Sequence, residues 1–74
     1  MELEEAYKKL RERQREVEEK LAELTALADE VATAQHQFRR VEAEKFEDLN
    51  QALEAALEDY AHARRRFGEA LQGE

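Results

Sequence analysis

Cysteine, proline, serine and tryptophan are missing from this chain of 74 residues, and its two glycines, Gly68 and Gly73, fall in the last seven. Without cysteine, a disulfide framework or a zinc–thiolate scaffold is excluded. Folds rich in β-structure turn on Gly, Pro and Asn, and residues 1–67 hold a lone Asn50 and neither of the other two. The excess of acid, 19 carboxylates against 12 lysines and arginines for a net charge of −7, argues against nucleic acid, which calls for a basic face. It also disfavours an autonomous membrane-surface helix, although local basic patches can still act at such a surface. No stretch approaches the roughly 20 apolar residues of a membrane span. The opening Met1-Glu2-Leu3-Glu4-Glu5 is acidic where a signal peptide is basic, so the expected location is cytoplasmic.

What remains is a helix-forming composition with 42% charged residues. The hydrophobic period must decide between a long helix and a disordered acidic chain. Steps of four and three from Leu3 land on Tyr7, Leu10, Gln14, Val17, Leu21, Leu24, Ala28, Val31, Gln35 and Phe38. All but the two glutamines are apolar, a heptad seam of five repeats. A second series, Phe46, Leu49, Leu53, Ala56, Tyr60, Ala63, Phe67 and Ala70, is apolar throughout. The two connect only through Glu42, by two consecutive steps of four, a stutter that locally unwinds a supercoil. The spacing therefore predicts a bend or a change of partner near residues 38–46, with Glu42 on the seam.

No residue before Gly68 stops a helix. Glu4–Lys8, Glu5–Lys9 and Glu16–Lys20 stand at the four-residue spacing that supports one. Arg64, Arg65 and Arg66 suit the negative end of the helix dipole, and Gly68 suits a left-handed cap. The expectation is all-α: residues 1–74 as one long, bent amphipathic helix of about 105 Å, forming a coiled coil or helical bundle by oligomerisation. The rival is a hairpin turning at Ala26–Glu30 or Asp48–Gln51. Ala22, Ala26, Leu27, Ala32 and Ala34, and later Ala52, Ala55, Leu57, Ala61 and Leu71, widen the apolar face beyond a two-stranded seam, which implies more than one neighbouring helix.

Chemistry is sparse. Glu58, Asp59 and His62 could converge on one helix face, as in di-metal bundles, but His36 has no carboxylate three or four residues away to form the second half. Thr25 and Thr33 are the only small hydroxyls, and an open helix offers Thr33 and His36 no oxyanion donors. No enzyme, cofactor, metal or small-molecule substrate is expected. The basic groups cluster as Lys8-Lys9-Arg11-Arg13-Arg15, Arg39-Arg40 and Arg64-Arg65-Arg66. They read as solvated helix faces, or as contacts to anionic headgroups worth about 1 kcal/mol each near a membrane.

Two stretches resemble the C-terminal helix of sorting-nexin BAR domains. One is Arg15-Glu16-Val17-Glu18-Glu19-Lys20-Leu21. The sharper is Arg40-Val41-Glu42-Ala43-Glu44-Lys45-Phe46-Glu47-Asp48-Leu49, followed by an apolar ladder with Tyr60 and Phe67. Where the family often carries a Trp, Phe67-Gly68 stands here. The resemblance implies a dimerising helix of a membrane-curvature module, peripheral on endosomal membrane. The residues alone imply non-catalytic assembly with copies of the chain or with partner helices, and a tethering coiled coil without a lipid role is the alternative. The packing positions are Leu10, Val17, Leu21, Leu24, Val31, Phe38, Phe46, Leu49, Leu53, Ala56, Tyr60 and Phe67.

Overall fold

Strong helix formers run through both halves of the chain, and both halves are helical. The structure, a computed structural model, describes residues 2–33 and 40–73, with the side chains of all of these but Arg40 and Val41. Helix α1 spans Leu3–Thr33 and helix α2 spans Arg40–Gly73. Glu4 and Glu5 sit in the first turn of α1, where the helix dipole favours carboxylates. At its other end, the Thr33 hydroxyl donates back to the Asp29 carbonyl at 2.9 Å, the local bond to the preceding turn that a helical threonine can make.

The two helices pack antiparallel. Near the termini the Tyr7 and Phe67 rings lie 6.2 Å apart; further along, Val17 packs with Leu53 and Ala56, against which Leu24 and Tyr60 also lie. The molecule measures 57 × 15 × 13 Å. That is the length of one such helix, about 50 Å at 1.5 Å per residue, and half the length of a single continuous one. The expected long helix is thus replaced by a hairpin. Pairing the halves covers apolar surface that an isolated 70-residue helix would leave in water. Both turn sites considered from sequence, 26–30 and 48–51, are helical; α1 gives way to α2 between Thr33 and Arg40, next to the change of seam register.

The packing face of α1 is Leu3, Ala6, Leu10, Arg13, Val17, Lys20, Leu24, Leu27 and Val31, each buried or half-buried. Half of this differs from the seam read in the sequence. Ala6, Lys20 and Leu27 replace Tyr7, Leu21 and Ala28, each one residue on, while Arg13 joins Gln14, which is half-buried as well. Arg13 and Lys20 can occupy such positions because their stems cover apolar surface while their charges reach out. They reach to carboxylates three residues ahead: Arg13 to Glu16 at 3.0 Å and Lys20 to Glu23 at 3.8 Å. Lys9 does the same to Glu12 at 3.8 Å. None of the three expected four-residue pairs is among the ion pairs of the described residues. On α2, Leu49, Leu53, Ala56, Tyr60, Ala63, Phe67 and Ala70 are buried or half-buried. Glu42 is half-buried as well, with one carboxylate oxygen shut from solvent and lacking a hydrogen-bond partner.

Gly68 does not cap α2. The helix runs on to Gly73, and neither glycine has a positive φ. A Cβ at Gly68 would meet nothing within 4 Å. Gly68→Ala is therefore expected to stabilise the hairpin by about 0.5–1 kcal/mol, because alanine has less freedom to lose in a helix. A higher thermal midpoint by circular dichroism checks this.

Candidate functional site

Pairing two helices leaves two flanks, and here they differ in chemistry. An antiparallel pair places on one flank the residues that follow Leu3, Leu10, Val17 and Leu24 by four, namely Tyr7, Gln14, Leu21 and Ala28. Beside them stand the corresponding α2 residues Asn50, Leu57, Arg64 and Leu71. The Tyr7–Phe67 ring contact lies on this side, as does Arg64, whose guanidinium stands 5.8 Å from the Tyr60 ring centre.

Five of these eight positions, Tyr7, Leu21, Ala28, Leu57 and Leu71, are apolar and exposed, whereas Gln14 and Asn50 are half-buried and Arg64 is an exposed cation. The exposed large hydrophobic residues among those described are Tyr7 at 51%, Leu21 at 46%, Phe46 at 40%, Leu57 at 44% and Leu71 at 52%. Four of them belong to the flank positions and Phe46 ends the adjoining core row, so the five mark a stripe along the hairpin that Gln14, Asn50 and Arg64 interrupt. Of the packing residues expected from sequence, Val17, Leu53 and Ala56 are buried. Leu10, Leu24, Val31, Leu49, Tyr60 and Phe67 are half-buried. Leu21 and Phe46 face solvent, and Phe38 lies outside the described residues.

The opposite flank is polar. Ala6, Lys9 and Arg13 from α1 and Asp59, His62, Ala63 and Arg66 from α2 line a half-open notch of about 230 Å³. Arg13 bridges the helices, its Nη1 3.9 Å from Asp59 Oδ2. The hydrogen bond from Arg13 to Glu16, then the charge of Glu16, raise the Arg13 pKa above its ordinary value; desolvation opposes this, and the charges of Asp59 and then Glu12 add smaller increases. Sequence reading named Asp59 and His62 as a metal-type pair with Glu58. The structure turns them to the notch, whereas Glu58 lines a separate surface with Ala61, Arg64 and Arg65. No group of three metal-capable side chains is found among the described residues. The convergence of Lys9 with Arg66 was not read from sequence, since it depends on the fold-back of α2.

The chain matches no protein-family model, no curated protein and no solved structure. Functional inference therefore rests on the two flanks.

Proposed function

We propose that the chain is a non-catalytic assembly element, a helical hairpin that pairs with copies of itself through its apolar flank to complete a helical bundle. The observation that carries this reading is the uncovered stripe from Leu71 and Tyr7 to Phe46. The chain as a whole also has surface to spare for an interface. The chain exposes 5968 Å², whereas a folded monomer of 8.7 kDa exposes about 4,700 Å². The excess, roughly 1,200 Å² over the whole elongated chain, leaves room for the roughly 800 Å² per partner that a standard stable interface covers. A core built on Val17, Leu53 and Ala56 is also small for a chain of this length, and chains of this size commonly gain stability by oligomerising.

The membrane role implied by the sorting-nexin resemblance is the alternative. Supporting the simpler reading, Arg40–Leu49, the residues that carry the resemblance, open α2 instead of continuing a longer helix. Among the described residues no helix is long and apolar enough to cross a membrane.

Self-association makes stability depend on protein concentration. The thermal midpoint is expected to rise steadily over a hundredfold increase in concentration, and a midpoint that stays constant contradicts the proposal. Co-sedimentation with anionic vesicles separates the two readings. An assembly element without a lipid role stays in the supernatant, whereas binding that salt abolishes would favour the membrane reading.

A further inference from the structure

On the flank opposite the apolar stripe, like charges meet. Lys9 and Arg66, from facing helices, line one notch together with the small residues Ala6 and Ala63. Arg13 and His62 complete its wall, and Asp59 is the one carboxylate in the lining. Three of its lining groups are cations against one carboxylate, and Glu12 and Glu16, the partners of Lys9 and Arg13, balance the remaining charge. Lys9 and Arg13 have carboxylate partners, Glu12, Glu16 and Asp59. Arg66 and His62 take part in none of the ion pairs or side-chain hydrogen bonds among the described residues, so their donors are available at the mouth of the notch.

We propose that this notch binds an oxyanion of the phosphate class. A tetrahedral oxyanion presents several acceptors at once. It can take a forked pair of hydrogen bonds from a guanidinium, a point contact from an ammonium and a further N–H from an imidazole. Arg66 and His62 supply the fork and the imidazole N–H, and Lys9 supplies the point contact from the facing helix by turning from Glu12, 3.8 Å away, around a volume large enough for such a group. Arg13, held between Glu16 and Asp59, adds positive potential more than a free donor. The site is independent of the apolar flank, and self-association there leaves the notch open.

The test is a titration of the full chain with inorganic phosphate, followed by amide and histidine-ring NMR shifts. Saturable shifts confined to residues around 6–13 and 59–66 are expected. Arg66→Glu should weaken binding by about tenfold or more, the scale of losing a hydrogen bond to a charged group and reversing its sign. Arg15→Glu makes the same charge change away from the notch, and should leave binding unchanged. Lys9→Gln provides a second, milder variant, and circular dichroism confirms that each variant is folded. Shifts that fail to saturate, or an equal loss with Arg15→Glu, overturn the proposal. Vesicles carrying a phosphomonoester headgroup, with and without competing phosphate, show whether the group comes from a lipid or from solution; saturable binding from either source that Arg66→Glu weakens supports the notch.

Discussion

Leu53→Asp should abolish the hairpin, with loss of most of the helical circular dichroism signal and of any self-association. Leu53 is 8% exposed and packs with Val17 and Ala56 in the cluster that joins α1 to α2. Truncating a buried leucine to alanine costs about 2–5 kcal/mol, and placing a carboxylate in the same contact adds its desolvation. A single core in a chain this small supplies no more than about 3–5 kcal/mol. The perturbation is as large as the stability it acts on, so unfolding wins. A variant that keeps the wild-type helicity and mass would show that Val17, Leu53 and Ala56 do not form the joint between the helices.

Leu21→Asp combined with Leu57→Asp should have the second largest effect, with a different signature. Both side chains are exposed within the hairpin, so the charges remain in water in the monomer and leave the intramolecular core intact. In an assembly through the apolar flank the same carboxylates would be buried without partners, at a cost of several kcal/mol. The double variant is therefore expected to remain helical and to become monomeric, with a thermal midpoint that no longer depends on concentration. An oligomer of wild-type size would place the interface elsewhere on the molecule. Unfolding would show that Leu21 and Leu57 belong to the core of a single chain.

Much of the fold was legible in the sequence. The want of Pro, Gly and Ser before Gly68, with two apolar series at heptad spacing, left little besides helix. The hairpin was harder to see because no Gly or Pro stands between Thr33 and Arg40. The polar residues at 26–30 and 48–51 looked like loop material but are carried on helix surfaces. The change of register between Phe38 and Phe46 was the available signal, and it read as a bend or a change of partner.

Register on α1 misled for a physical reason. The row Leu3, Leu10, Val17, Leu24 and Val31 is shared by two faces, one completed by Tyr7 and Leu21, the other by Ala6, Arg13, Lys20 and Leu27. Hydropathy favours the first, whereas the fold packs the second within the chain. Arg13 and Lys20 read as surface residues until their stems are seen along the helix contact. The larger hydrophobic residues are thereby left for the apolar flank, and this is what gives the flank its character. The notch on the other flank was illegible for a simpler reason. Lys9 and Arg66 are distant in the chain, and only the antiparallel return of α2 brings their charges together.

Sedimentation equilibrium on the wild-type chain, over a wide concentration range, tests the central claim most directly. Association through the apolar flank predicts a defined oligomer of at least about 17 kDa, twice the 8.7 kDa chain mass, which dissociates reversibly on dilution. A mass of 8.7 kDa at every concentration, with full helicity, would contradict it and mean that the hairpin stands alone with its apolar stripe in water.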